Sequence, residues 1–158
     1  MEGCELGSKK VVKQREHTQK EKRSKNIEKI EGYLRMHPIW AFRQCDQSHE
    51  RWSLKNSESF YQDILEKLVS YEGMTWGEIQ AASGGKSAGN GTNNHFESIA
   101  DMSKEAQKRA EELRLDVDQL FSLRLTGKKR LYGILDQGIY RVIWYDPEHE
   151  IYSTSKNR

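Results

Sequence analysis

Hydrophobic and polar positions alternate in three short runs within residues 119–152, and two turn signals, Thr126-Gly127-Lys128 and Asp136-Gln137-Gly138, separate the runs. Period-two alternation cut by Gly and Asp is the pattern of an antiparallel meander. In the first run Phe121, Leu123 and Leu125 share a face opposite Leu120, Ser122 and Arg124. In the second, Leu131 and Leu135 flank Gly133 opposite Arg130, Tyr132 and Ile134. In the third, Tyr140, Val142 and Trp144 oppose Ile139, Arg141, Ile143 and Tyr145. The pattern predicts a sheet with one apolar face under helices and one wet face carrying cations and aromatics.

Upstream the period changes. Ser57 or Ser59 can cap a helix running to about Tyr71, with Phe60, Ile64, Leu65 and Leu68 as its stripe and Val69 beside them. That stripe should face Phe121, Leu123, Val142 and Trp144. Gly73 suits the helix end, and Thr75 to Glu78 has capping-box spacing for a short helix through Ala82. A further helix should start at Ser103 and run to about Leu113, with Ala106, Ala110 and Leu113 inward. Two short strands, 39–43 and 51–54, read around a polar turn, and their aromatics Trp40, Phe42 and Trp52 are expected in the core. Residues 83–94, rich in Gly, Asn and Ser, read as a flexible loop. The expected fold class is α+β: an antiparallel sheet of four to six short strands packed on two or three helices.

Charge divides the chain. The first 35 residues hold ten Lys/Arg against six Asp/Glu, whereas the whole 158-residue chain has a net charge of only +2. Residues 1–35 therefore read as a basic arm, disordered or helical, with Ile27, Ile30 and Leu34 as its one apolar stripe; residues 36–158 read as the α+β domain. Two cysteines, Cys4 and Cys45, are too few for a disulfide framework. No apolar run approaches the length of a membrane span, so the expectation is a cytoplasmic chain without a membrane partner.

Several motifs fall away on mechanism. Gly85-Lys86-Ser87 resembles the end of a phosphate-binding loop, but Gln80 stands where the first glycine is needed. Cys45 and His49 are four apart, while His17, His37, His95 and His149 are scattered without recurring ligand spacing, so no metal site is expected. No small-molecule cofactor is expected either. A candidate site remains at the end of the meander. Asp146-Pro147 turns the chain so that His149 comes near Tyr152 and Arg141. A histidine that exchanges a proton, an arginine that grips a phosphate and a tyrosine that stacks or orients a hydroxyl suit metal-free phosphodiester cleavage. The competing reading is a turn histidine paired with Glu148 or Glu150 and an arginine in a cross-strand ion pair. Arg124, Lys128, Lys129, Arg130 and Tyr132 would hold flanking nucleic acid, although a charge run at a hairpin turn such as Lys-Lys-Arg is more often a solvated tip.

Leu125-Thr126-Gly127, Arg130 to Leu135 and Gly138-Ile139-Tyr140-Arg141-Val142-Ile143-Trp144-Tyr145 resemble the central hairpin of the RelE/ParE toxin superfamily. The resemblance implies a small α+β fold. It also implies, in the ribosome-dependent branch, cleavage of messenger RNA without a metal, with Arg141 contacting the substrate phosphate. A wider pattern resembles a family of conserved hypothetical proteins of bacteria and mobile elements: Trp40-Ala-Phe, Met74-Thr-Trp-Gly-Glu-Ile79, the Lys104 to Leu113 helix, Phe121-Ser-Leu-Arg-Leu-Thr-Gly-Lys, and Trp144-Tyr-Asp-Pro-Glu-His-Glu-Ile-Tyr152. The expectation is thus a RelE-like toxin acting on RNA, free or ribosome-bound, with an antitoxin protein as second partner. The catalytic set would be Arg141, His149 and Tyr152. The alternative is a non-enzymatic module of a mobile element that binds nucleic acid or protein.

Overall fold

The computed structural model describes residues 32–82 and 93–152. The chain divides into Met1–Tyr33 and Leu34–Arg158, and all that follows concerns the second unit. The expected basic arm and most of the expected Gly/Asn loop lie outside the described residues, as do Lys156 and Arg158.

The class is α+β. Five strands, β1 (Ile39–Ala41), β2 (His95–Ser98), β3 (Gln119–Arg124), β4 (Arg130–Asp136) and β5 (Ile139–Asp146), form one sheet in the order β1-β5-β4-β3-β2. The meander is antiparallel, but β1 pairs with β5 in parallel, so the sheet is mixed. The turn chemistry accounts for the meander. Gln137 and Gly138 both have positive φ (51° and 82°), the geometry that lets a two-residue turn follow the twist of its strands. Gly127 adopts φ 55° in the other hairpin, where Leu125 N–H and Lys129 N–H close the loop onto Lys129 O and Thr126 O.

Three helices stand where their sequence signals put them, but of the stripe expected to be buried in the first only Ile64 and Leu68 are, while Phe60, Leu65 and Val69 are exposed. A π-helical segment, Tyr61–Leu65, leads into α1 (Glu66–Glu72). α2 (Trp76–Ala81) starts with the capping box, in which the Thr75 hydroxyl accepts from Glu78 N–H and the Glu78 carboxylate accepts from Thr75 N–H. α3 (Lys104–Glu112) starts at Ser103, whose hydroxyl accepts from Ala106 N–H. Gly73 ends α1 in right-handed geometry (φ −74°), so its freedom to turn left goes unused.

Both faces of the sheet are covered, which corrects the expected solvated face. α1 and α2 lie on the face carrying Phe121, Leu123, Tyr140 and Val142. There Trp76 meets Trp40, Phe121 and Tyr140 with ring centroids 5.6–5.9 Å apart, and its indole N–H donates to Gly138 O. The other face packs Leu120, Tyr132, Ile143 and Trp144 against Ala106 and Ala110 of α3, together with Trp52, Met102 and Ile151. Each fully buried aliphatic or aromatic side chain in these layers contributes about 1.5–3 kcal/mol.

A β-bulge decides which residues go where. Tyr132 pairs with Trp144 but Gly133 with Val142, so β5 carries one extra residue, Ile143. The bulge breaks the period of two. It moves Trp144 away from Val142 and into the second core, so Trp144 does not face the stripe of α1 as expected. Gly133 makes the bend possible: a Cβ there would lie 2.4 Å from Arg141 O and 2.8 Å from the Tyr140 ring. β1 ends at Ala41, opposite Arg141, and the segment 46–52 bonds the backbone of β5 beyond it. Asp46 N–H donates to Ile143 O, and Tyr145 N–H donates to Trp52 O. Arg51 N–H and Trp52 N–H both donate to His49 Nδ1, which holds 51–54 in a turn and not the predicted strand. Residues 148–152 likewise form bends, not a return strand.

Asp46 ties this face together. Its buried carboxylate accepts from Arg109 Nε (2.7 Å) and Nη2 (2.8 Å) and from the Trp144 indole (3.1 Å). Burial works to raise its pKa, but the bonds from Arg109, Ser48 N–H and Trp144 prevail and hold it well below the usual carboxylate range.

Candidate nucleic-acid interface

The hairpin at Thr126-Gly127 sets Arg124 directly opposite Arg130, and β5 sets Asp146 opposite Arg130 on the other side. β2 adds His95 opposite Ser122, one step further along the same face. The fully buried Asp146 carboxylate accepts from Glu150 N–H (3.0 Å) and Ile151 N–H (2.8 Å), which folds the chain back after β5. That turn puts His149 at φ 59°, a conformation uncommon outside glycine. The His149 ring comes to rest half-buried beside Arg130. Burial lowers its pKa, and Arg130 lowers it further, with His95 and Arg124 adding and Asp146 opposing. The imidazole is therefore neutral at pH 7.

The two arginines carry no acid between them. Arg124 donates from Nη1 to Asn93 Oδ1 (2.7 Å), and Arg130 donates from Nη1 to Gly127 O and Lys129 O (both 3.0 Å). Among the described residues neither guanidinium has a carboxylate at ion-pair distance. Burial, with Arg124 close by, lowers the pKa of Arg130. Like charges directly opposite one another on a sheet disfavour the folded state unless an anion enters. At the rim, His95 Nε2 pairs with the largely buried Glu97, while His95 Nδ1 is buried without a hydrogen-bond partner.

The sequence-predicted residues scatter. Arg124, Arg130 and His149 converge. Tyr132 sits beside them in register but is 1% exposed, so it belongs to the second core and offers no ring to a base. Burial raises its phenol pKa, against a hydrogen bond with Ser122. Lys129 turns to the opposite face and pairs with Asp63 beside α1, and Lys128 pairs with Glu148 at the exposed tip. Arg141 lies opposite Ile134 toward the far end of β5, separated from Asp146 by about 16 Å of strand. Its guanidinium is 3.7 Å from Asp136, and it lines an open cavity of about 910 Å³ in which Asp116, Asp118 and Asp136 outnumber Arg114 and Arg141. Tyr152 packs against the second core beyond Ile151. The trio Arg141, His149 and Tyr152 is thus not assembled; His149 lies within electrostatic reach of Arg130 and Arg124 instead.

His95 was missed as a neighbour of this group. The signal for it was the His95-Phe96-Glu97 alternation, which puts histidine and glutamate on one face of a strand and the phenylalanine on the other. Another histidine, His49, is structural. Its Nδ1 accepts from Arg51 N–H and Trp52 N–H, its ring stacks on Trp52 at 4.1 Å, and its Nε2 lies 3.2 Å from Glu105. No group of three or more His, Cys, Asp or Glu side chains able to hold a metal ion occurs among the described residues, and no helix among them is long and apolar enough to cross a membrane. No family model, curated protein or solved structure matches the chain.

Proposed function

We propose that this protein acts on RNA at the arginine end of its sheet, as a metal-free endoribonuclease of the RelE-like toxin kind. The observation that carries the reading is the pairing of Arg124 with Arg130 across β3 and β4, without a carboxylate between them and with His149 at hand. A phosphodiester supplies an anion at ion-pair distance, which neither guanidinium has among the described residues, and suits guanidinium hydrogen bonding. RNA also brings its own nucleophile. Neutral His149 takes the proton of the 2′-hydroxyl as its oxygen bonds to phosphorus. The P–O5′ bond breaks, the departing oxygen takes a proton from water, and a 2′,3′-cyclic phosphate remains. Arg124 and Arg130 hold the charge that gathers on the phosphoryl oxygens. The cellular setting proposed is a bacterial or phage toxin–antitoxin or defence system, with RNA free or on the ribosome as target.

The test compares single-stranded RNA with DNA of the same sequence, using the full chain in the presence of a chelator. Wild type should cleave RNA only. His149→Ala should slow cleavage by about 10²–10⁴-fold with binding retained. Arg124→Ala and Arg130→Ala should weaken binding tenfold or more. Binding and cleavage unchanged in both arginine variants would remove this surface from consideration. A second reading, a nucleic-acid-binding module without catalysis, is favoured by one feature: no hydrogen bond orients the His149 ring among the described residues. RNA bound but left intact, with His149→Ala binding like wild type, selects that reading.

A further inference from the structure

Arg51, Arg109 and Arg141 each stand at ion-pair distance from a carboxylate. Arg124 and Arg130 are held by neutral oxygens instead. Asn93 Oδ1 accepts from Arg124 Nη1 at 2.7 Å, and the carbonyls of Gly127 and Lys129 accept from Arg130 Nη1. A guanidinium has only donors, so the oxygen of the Asn93 amide must face it. Of these three acceptors Asn93 alone uses a side chain, so it alone can be removed or charged by substitution.

The local fold puts Asn93 there. β2 begins at His95, opposite Ser122, so its pairing stops short of Arg124. Side chains take the place of the missing strand. Asn94 Oδ1 accepts from Arg124 N–H (2.8 Å), the Tyr71 hydroxyl donates to Arg124 O (2.7 Å), and Asn94 Nδ2 donates to Ile79 O (2.9 Å). Buried Asn94 thus ties the Arg124 backbone to α2 and leaves its neighbour Asn93 beside the side chain. Arg124 needs that hold. It stands directly opposite Arg130, and repulsion between the two favours conformations in which the long side chains swing apart into solvent. A carboxylate would hold Arg124 more strongly, but its charge-assisted bond would also take up the charge. A neutral acceptor orients the guanidinium and leaves the charge to an incoming anion. We infer that Asn93 is the positioning and specificity residue of this site: it aims Arg124 alongside Arg130 at a phosphodiester and, as an amide, keeps the site open to anions. The inference rests on the reading that RNA binds at these two arginines.

The test measures binding of a short single-stranded RNA to the full chain across salt concentrations, with urea unfolding of every variant. Asn93→Ala should weaken binding about three- to tenfold, the worth of one neutral hydrogen bond, and leave the salt dependence unchanged. In an Arg124→Ala background the same substitution should cost nothing, because its effect passes through that guanidinium. Asn93→Asp should weaken binding about tenfold or more while its urea midpoint stays at or above that of wild type. It should also flatten the slope of log K against log salt by about 0.7, the share of one cation on a single strand. A residue that merely supports the fold would lower the midpoint and leave the slope alone. Asn93→Ala binding within twofold of wild type overturns the inference, as does an equal loss with and without Arg124. So does Asn93→Asp binding like wild type, or a midpoint lowered in both variants. The reading beneath it fails differently: wild type then binds no RNA, or Arg124→Ala binds as tightly as wild type.

Discussion

The two ends of the β4–β5 hairpin carry arginines that look alike in sequence and differ in circumstance. At one end Arg130 faces Arg124 and lies beside His149; Asp146 stands opposite Arg130, but its carboxylate accepts from backbone N–H groups and makes no ion pair with either arginine among the described residues. Toward the other, Arg141 lies 3.7 Å from Asp136 and shares a cavity with Asp116 and Asp118. A cation with a carboxylate neighbour attracts little from solution. A cation facing another cation attracts anions strongly, and folding bears the repulsion. Candidate binding sites are therefore found by tracing each charge to its neighbours, since a tally of basic residues would rank these two ends as equals.

The largest disturbance to this contrast should come from Gly133→Ala. The added methyl meets the Arg141 carbonyl oxygen and the Tyr140 ring, and the backbone cannot yield without losing the bulge. A loss of more than about 3 kcal/mol is expected in urea unfolding, with both ends of the hairpin disordered together. Next comes the contrast itself. Arg130→Ala should lower RNA affinity tenfold or more, whereas Arg141→Ala should leave it within twofold. If Arg141→Ala costs the greater affinity, the assignment of the two ends is reversed. The smallest effect is a titration. His149 takes up a proton less readily in the folded chain than in the unfolded one. Its contribution to stability is therefore present above the unfolded value of about 6.5 and is lost as pH falls through the lower folded value. NMR should find the folded value below 6.5, and adding an oligonucleotide should move it upward, because a phosphate favours the imidazolium. No movement on adding RNA would place the phosphate elsewhere.

What the sequence disclosed, and what it hid, follows from the range of the interactions. Turns and caps are local. Gln137-Gly138, Thr75-Glu78 and Ser103 each act through residues three or four apart, and they appear where their chemistry puts them. The pairing of Arg124 with Arg130 was also within reach, since the two flank one hairpin loop. The bulge was not. It sits beside long-range bonds: Asp46 N–H and Trp52 O, nearly a hundred residues upstream in the chain, meet the backbone of Ile143 and Tyr145. Without that meeting, strict alternation sends Trp144 to the wrong side and leaves one sheet face wet. β2 was hidden for a plainer reason: it is four residues long, and Phe96 is its only apolar side chain. The role expected of Arg141 came with the family resemblance, and the pairing register puts that residue far from His149.

By shifting one indole across the sheet, the bulge gives each layer its own optical reporter. The chain has four tryptophans. Trp40 and Trp76 adjoin one another on the side of the sheet that α2 covers, while Trp52 and Trp144 lie 5.6 Å apart on the side of α3. Replacing either couple with phenylalanine leaves fluorescence that senses a single side of the molecule. With two such variants, an experimenter could time separately how quickly each half of this small protein comes apart.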